Sequence, residues 1–189
     1  MLGRLIGTLL KGVRAGDKYL AWNAPPVASA PEVITLTSDD FEAGGVMPIK
    51  FAGKGVGDNV SPSLKWSNLP AGTVELVLVM EDPDAPMPKP FIHLVATGIS
   101  PSLGGFATGA LSAGAAPNGI SYGKDTLGRK GYNGPRAPKG HGPHHYLFEI
   151  YALNKALEFS APPGLADVVN KLDGVVIGRG KLQGIFEQK

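Results

Sequence analysis

Leu76-Val77-Leu78-Val79-Met80 runs without a polar residue into Glu81-Asp82-Pro83-Asp84-Ala85-Pro86. An unbroken apolar run of this kind predicts a strand covered on both faces, the buried type found between packed layers. Pro83 and Pro86 remove backbone donors and stiffen the chain where the run stops, so the strand should end there with carboxylates at its tip. Outward from this strand, Val33–Thr37, Leu64–Trp66, Ile92–Ile99 and Tyr146–Leu153 read as further short strands separated by turn residues, and Val175–Ile177 with Leu182–Phe186 as closing ones. Val33, Thr35 and Thr37 alternate with Ile34 and Leu36, which predicts a strand with one wet side. The expected fold class is mainly β, with strand types that fit packed sheets.

Only two stretches have helical spacing. Leu165, Val168, Val169 and Leu172 form one stripe closed by Gly174; Leu2, Leu5, Ile6, Leu9, Leu10 and Val13 form another, which predicts an amphipathic helix over residues 2–14 despite Gly3, Gly7 and Gly12. This second stripe is expected to pack against protein, and a homodimer through it is one form such packing takes. Residues 23–31 read as a Pro/Ala linker, so the expected division is 1–31, helix and linker, and 32–189, the β-rich domain. Residues 100–119 form a long Gly/Ala/Ser/Pro loop, which inside a compact domain is usually functional or mobile.

Composition narrows the function classes. The 189 residues include 27 glycines and 17 prolines but no cysteine, and the net charge is +2. A chain without sulfhydryl groups has no disulfides, zinc–cysteine sites or thiol nucleophile. So small a charge, with no run of basic residues, argues against a nucleic-acid partner. No stretch reaches the length of a membrane span. Arg4 before apolar residues and Ala28-Ser29-Ala30 imitate an export signal, but Lys11, Arg14, Asp17 and Lys18 break the apolar region such a signal needs, so a cytoplasmic location is expected.

The four histidines fall in two places: His93 within Phe91-Ile92-His93-Leu94-Val95, and His141, His144 and His145 within Gly131–Tyr146. A carboxylate from the proline-stiffened turn could fix a histidine tautomer beside a pocket. Metal binding by His93, His144, His145 and Asp82 is not expected, because adjacent residues of a strand point to opposite faces and His144 and His145 could not both reach one ion. Gly119-Ile120-Ser121-Tyr122-Gly123 matches a nucleophile elbow, with Asp125 and His144 following in hydrolase order, but the glycine-rich flanks cannot supply the strand and helix that an elbow requires. Ser121 is therefore expected to be a turn residue.

Asn59-Val60-Ser61-Pro62-Ser63-Leu64-Lys65-Trp66, then Asp82-Pro83-Asp84-Ala85-Pro86, then His93, then Gly131-Tyr132-Asn133-Gly134-Pro135-Arg136-Ala137-Pro138-Lys139-Gly140-His141-Gly142-Pro143-His144-His145-Tyr146 resemble, in order, the signatures of the phosphatidylethanolamine-binding protein family. Within it the chain is most similar to the bacterial Raf kinase inhibitor-like branch, of YbhB/YbcL type. The resemblance runs from about Val33 to the C-terminus. It implies a two-sheet β fold with a small anion pocket for phosphate-like, carboxylate or phospholipid head groups, no catalysis and no cofactor. By motif position the pocket would comprise Asp82, Ala85, Pro86, His93, Gly134, Pro138, Pro143, His144 and Tyr146, with His93 and His144 facing the ligand and a cis bond at Ala85–Pro86. Phe91, Ala137 and His145 depart from the Trp, Pro and Arg common in the family, which implies an altered wall and rim. The alternatives are a kinase or protease inhibitor acting on a regulated protein partner by surface contact, and a serine hydrolase using Ser121.

Overall fold

The computed structural model describes residues 2–112, 114, 116, 117 and 119–189. Met1 and, in the long loop, Ala113, Ala115 and Asn118 lie outside that description, as do the side chains of Leu2, Arg4 and Ile6. The described residues form eight strands: β1 Thr35–Thr37, β2 Leu64–Ser67, β3 Glu75–Asp82, β4 Phe91–Ile99, β5 Gly105–Phe106, β6 Ser121–Tyr122, β7 His144–Leu153 and β8 Val176–Phe186. Helices are short: α1 Leu2–Leu9, α2 Pro25–Ala28 and α3 Leu165–Lys171. The strands form a five-stranded sheet in the order β6-β4-β3-β7-β8 and a three-stranded sheet in the order β1-β2-β5, with antiparallel pairing throughout.

The apolar run of β3 is explained by its central place. Leu76, Leu78 and Met80 enter the core between the sheets with Leu36, Phe51, Leu64, Trp66 and Phe148. Val77 and Val79 enter a second core on the opposite face with Leu20, Trp22, Val27, Tyr151, Val168 and Leu172. Both faces are dry, so every position of β3 is buried.

The two closing strands expected from the sequence are one continuous strand, β8, paired with β7 from His144↔Phe186 to Leu153↔Val176. Its middle lacks large apolar residues because another chain segment lies against it. A Cβ on Gly180 would sit 2.2 Å from the Ile34 carbonyl oxygen, and one on Gly184 would sit 2.5 Å from Cγ of Met47. The glycines thus admit close backbone approach inside the strand.

The N-terminal stripe ends earlier than expected, at Leu9, followed by turns closed by Lys11 N–H to Thr8 O and Val13 N–H to Leu10 O. Glycine at positions 12 and 16 disfavours continuation. Leu5, Leu9 and Val13 are exposed on the single chain. The helix instead approaches the domain through Gly7, where a Cβ would meet the Lys139 carbonyl oxygen at 2.0 Å. Residues 23–31 are more ordered than a linker, since α2 buries Val27 in the second core and Ala30 is also buried. No helix among the described residues is long and apolar enough to cross a membrane.

Candidate functional site

At one end of the five-stranded sheet the tips of β3, β4 and β7 converge with residues 125–138 around a cavity of about 320 Å³. Its lining includes Asp82, Ala85, Pro86, His93, Gly134, Pro138 and His144, seven of the nine residues expected from the sequence. Pro143 and Tyr146 do not line it. The Pro143 carbonyl accepts from the Arg14 guanidinium at 3.2 Å, and the Tyr146 ring lies behind the histidines, 5.2 Å from His93 and 6.3 Å from His144 between centroids. Phe91, Met87, Leu127, Arg129, Asn133 and Arg136 complete the wall. Phe91, where the family commonly has Trp, packs its ring 4.7 Å from that of His93.

The backbone at the cavity is set by glycine and asparagine. A Cβ on Gly134 would lie 2.0 Å from the Phe51 carbonyl oxygen, so no other residue fits there. Asn59 holds a positive φ of 58° and grips both sides of the turn: its Nδ2 donates to Tyr132 O at 3.1 Å and its Oδ1 accepts from Gly134 N–H at 2.9 Å. This gives the Asn59 motif a mechanical role at the site. The Ala85–Pro86 bond is trans, against the expected cis geometry; among the described residues there is no cis peptide. In this trans turn the Ala85 carbonyl accepts from Met87 N–H at 2.7 Å and from Ala15 N–H at 3.0 Å, which anchors it on both sides.

His93 is fixed reciprocally by Asn133. The His93 carbonyl accepts from Asn133 N–H at 3.1 Å, and its Nδ1 lies 2.5 Å from the Asn133 carbonyl oxygen. A carbonyl only accepts, so Nδ1 carries hydrogen, and Nε2 is buried without a partner in the protein. Burial holds the ring's pKa below the ordinary histidine value, with the Asp82 charge opposing that shift only in part.

His144 is placed differently from the expectation. Its Nδ1 lies 2.7 Å from Asp82 Oδ2, as a tautomer-fixing carboxylate requires, but its Nε2 lies 2.7 Å from His141 Nδ1. The ring therefore lines the cavity with both nitrogens already engaged. His141 Nε2 in turn faces the carbonyls of Leu10 at 2.8 Å and Val13 at 3.1 Å, so it must be the donor there. Asp82, His144 and His141 thus form a buried line from the cavity to the N-terminal segment. That segment is fastened further by Gly16 N–H to Pro83 O at 2.8 Å and by an ion pair between Arg14 and Asp84.

Asp84 also accepts from His145, backbone N–H at 2.7 Å and ring Nδ1 at 2.6 Å. Its carboxyl pKa is lowered because these bonds and Arg14 outweigh the opposing effect of burial. His145, where the family commonly has Arg, points away from the cavity and is consumed by Asp84. His144 and His145 diverge to different carboxylates, as strand alternation predicts, and the described residues include no cluster fit to hold a metal.

Cationic character comes from residues the sequence reading did not single out. Arg129 and Arg136 line the cavity. Buried Asp125 sets Arg129, accepting from its Nε at 2.8 Å and its backbone N–H at 2.8 Å, and also from Asn133 Nδ2 at 3.1 Å. The Asp125-Thr126-Leu127-Gly128-Arg129 turn could have been read as a carboxylate folding back on a guanidinium four residues on. Ser121, by contrast, lies in the two-residue strand β6 opposite Thr97, and the cavity beside it is lined by no histidine or carboxylate among the described residues.

The sequence profile described as phosphatidylethanolamine-binding protein matches residues 37–187. The protein named "Putative lipoprotein LppC" from Mycobacterium tuberculosis is 40% identical over 169 residues, covering 87% of this chain and 78% of that one. YbhB of Escherichia coli, named as a UPF0098 protein, is 34% identical over 63% of this chain and 77% of its own. The crystal structure of E. coli YbcL, titled a new member of the mammalian PEBP family, superposes with a TM-score of 0.77 at 28% identity, covering 82% of this chain and 99% of that one. With these matches and the two-sheet fold, the chain belongs to the phosphatidylethanolamine-binding protein family, on its bacterial YbhB/YbcL side.

Proposed function

We propose that the protein is a non-catalytic binding protein whose cavity takes one small phosphate-like or carboxylate group, free or as a phospholipid head group. The observation that carries this reading is the buried Nε2 of His93, unpartnered in a cavity that also presents Arg129 and Arg136. A buried polar atom without a partner is costly, and an occupant that shares a hydrogen with that atom would satisfy it. A volume of about 320 Å³ suits a head group. In this reading the pocket belongs to a domain of residues 32–189, with residues 1–31 as an appended segment that clasps it, and the protein acts in the cytoplasm.

Isothermal titration with methyl phosphate, dimethyl phosphate and acetate tests the reading and separates a free monoester from a diester head group. Saturable one-to-one binding is expected for at least one probe, weakened tenfold or more in His93→Ala. Absence of saturable binding by every probe would reject the pocket. Ser121→Ala should bind like the wild type, and a fluorophosphonate should leave Ser121 unlabelled; stoichiometric labelling would restore the hydrolase alternative. Fractionation of the native host that recovered the protein with membranes would refute the cytoplasmic placement.

A further inference from the structure

The proton inventory of His93 constrains what the proposed pocket can hold. Nδ1 is committed to a carbonyl, so the ring's hydrogen sits there whether the imidazole is neutral or charged. In the neutral ring, Nε2 is then a bare lone pair, buried and unpartnered. The oxygen of a fully ionised anion placed against it would set one lone pair against another. A hydrogen bond between them requires a proton that neither partner carries.

We propose that the site takes up its anion together with one proton, held between a ligand oxygen and Nε2 of His93. The proton comes from solvent or from an acidic form of the ligand itself, and it returns to solvent when the ligand leaves. The charged groups facing His93 are consistent with this exchange. Asp82 and Asp125 favour a positive ring, Arg129 opposes it, and burial opposes it more strongly, so the empty site holds the ring neutral. Arriving negative charge shifts the balance toward the imidazolium and converts Nε2 into a charge-assisted donor. The Phe91 and Tyr146 rings that flank His93 carry no charge near neutral pH and do not compete for the proton.

This proposal rests on the anion reading, and its test separates the two. Methanesulfonate is the probe, because it stays ionised and brings no proton. Titrations at pH 7.5 in two buffers of different ionisation enthalpy should reveal an uptake of about one proton per ligand bound. Affinity should fall about tenfold for each pH unit between 7 and 8.5. In His93→Gln the amide donates without protonation, so either binding continues with no uptake and no pH dependence, or it is lost; both results support the assignment when the wild type takes up a proton. Wild-type binding without uptake would overturn the proposal while leaving the pocket standing, and uptake that persists in His93→Gln would overturn it by placing the proton elsewhere. Failure of methanesulfonate to bind while dimethyl phosphate binds without uptake would also overturn it. Failure of every anion to bind would remove the pocket reading and this proposal together.

Discussion

Replacing Glu149 with glutamine should spare the protein about 3 kcal/mol of the stability it loses between pH 5 and pH 8. Glu149 lies in β7 and Glu81 in β3, side by side on the face covered by the N-terminal segment, and both are wholly buried. Burial raises the Glu149 carboxyl from 4.5 to about 7, against the opposing effects of hydrogen bonds from Tyr151 and Glu81 and the Lys181 charge. Burial and the Glu149 charge raise Glu81 well above its ordinary value, so it too costs stability as pH rises, in the wild type and, through burial, in the variant as well. The folded protein therefore holds a Glu149 proton that the unfolded chain releases from pH 4.5 upward. Stability is full below the unfolded value and is lost as pH rises through the folded one.

A shift of about 2.5 units at 1.36 kcal/mol each amounts to about 3 kcal/mol lost by pH 8, a large share of a domain's stability. His93 contributes in the opposite direction, because its lowered pKa makes stability rise with pH up to the ordinary histidine range. Both proteins contain His93, so that contribution cancels in the comparison. Urea unfolding of wild type and Glu149→Gln at half-unit pH steps should give curves that diverge by about 3 kcal/mol between pH 5 and pH 8, with the wild type falling. Parallel curves would refute the argument, because they would mean that Glu149 ionises without cost in the folded state.

Gly180→Ala should destabilise by about 3 kcal/mol, since the added Cβ would meet the Ile34 backbone at 2.2 Å and only a shift of β8 can relieve it; a melting temperature within a degree of wild type would contradict this. His141→Ala should cost about 2 kcal/mol, because the Leu10 and Val13 carbonyls and His144 Nε2 all lose a partner. It should also speed tryptic cleavage after Lys11 and Arg14, and an unchanged cleavage rate would mean that Arg14–Asp84 and the backbone bonds hold the segment alone.

The β architecture was legible because hydrophobic patterning reports burial directly: an unbroken run marks the central β3, and the alternation of Ile34 and Leu36 marks an edge strand with one wet face. Where burial was achieved without large side chains the pattern failed. β8 was divided because glycines create space for Ile34, Met47 and Pro70, and a glycine gives no apolar signal even when its surroundings are packed. The convergence of Asp82, His93 and His144 on one cavity was legible through motif order. The partner of each nitrogen was not, because His141 and His144 lie three residues apart while the carbonyls that close their line lie about 130 residues away, at Leu10 and Val13. Contacts of that span leave no periodicity to read.

Those distant contacts also give residues 1–31 a structural role beyond that of a tail. Glu81 and Asp82 are adjacent at the end of β3 and face opposite sides of the sheet, one toward the covered carboxyl pair and the other toward the cavity. The N-terminal segment reaches both. Ala21 N–H donates to Glu81 Oε2 at 2.8 Å, while Leu10 and Val13 meet His141 and through it His144 and Asp82. Arg179 adds a bond to the Trp22 carbonyl at 2.9 Å and stacks on the Trp22 ring, so the same segment is fixed to the far side of β8. A single run of chain therefore closes over the buried acids and braces the cavity wall. Its attachment must resist the charge that develops on Glu149 above pH 7, so loosening should begin at Ala21–Trp22 before it reaches the cavity. Amide exchange across pH 6 to 8.5 would then show protection lost first at Ala21; simultaneous loss at Ala15 and Gly16 would mean that the segment releases as one unit.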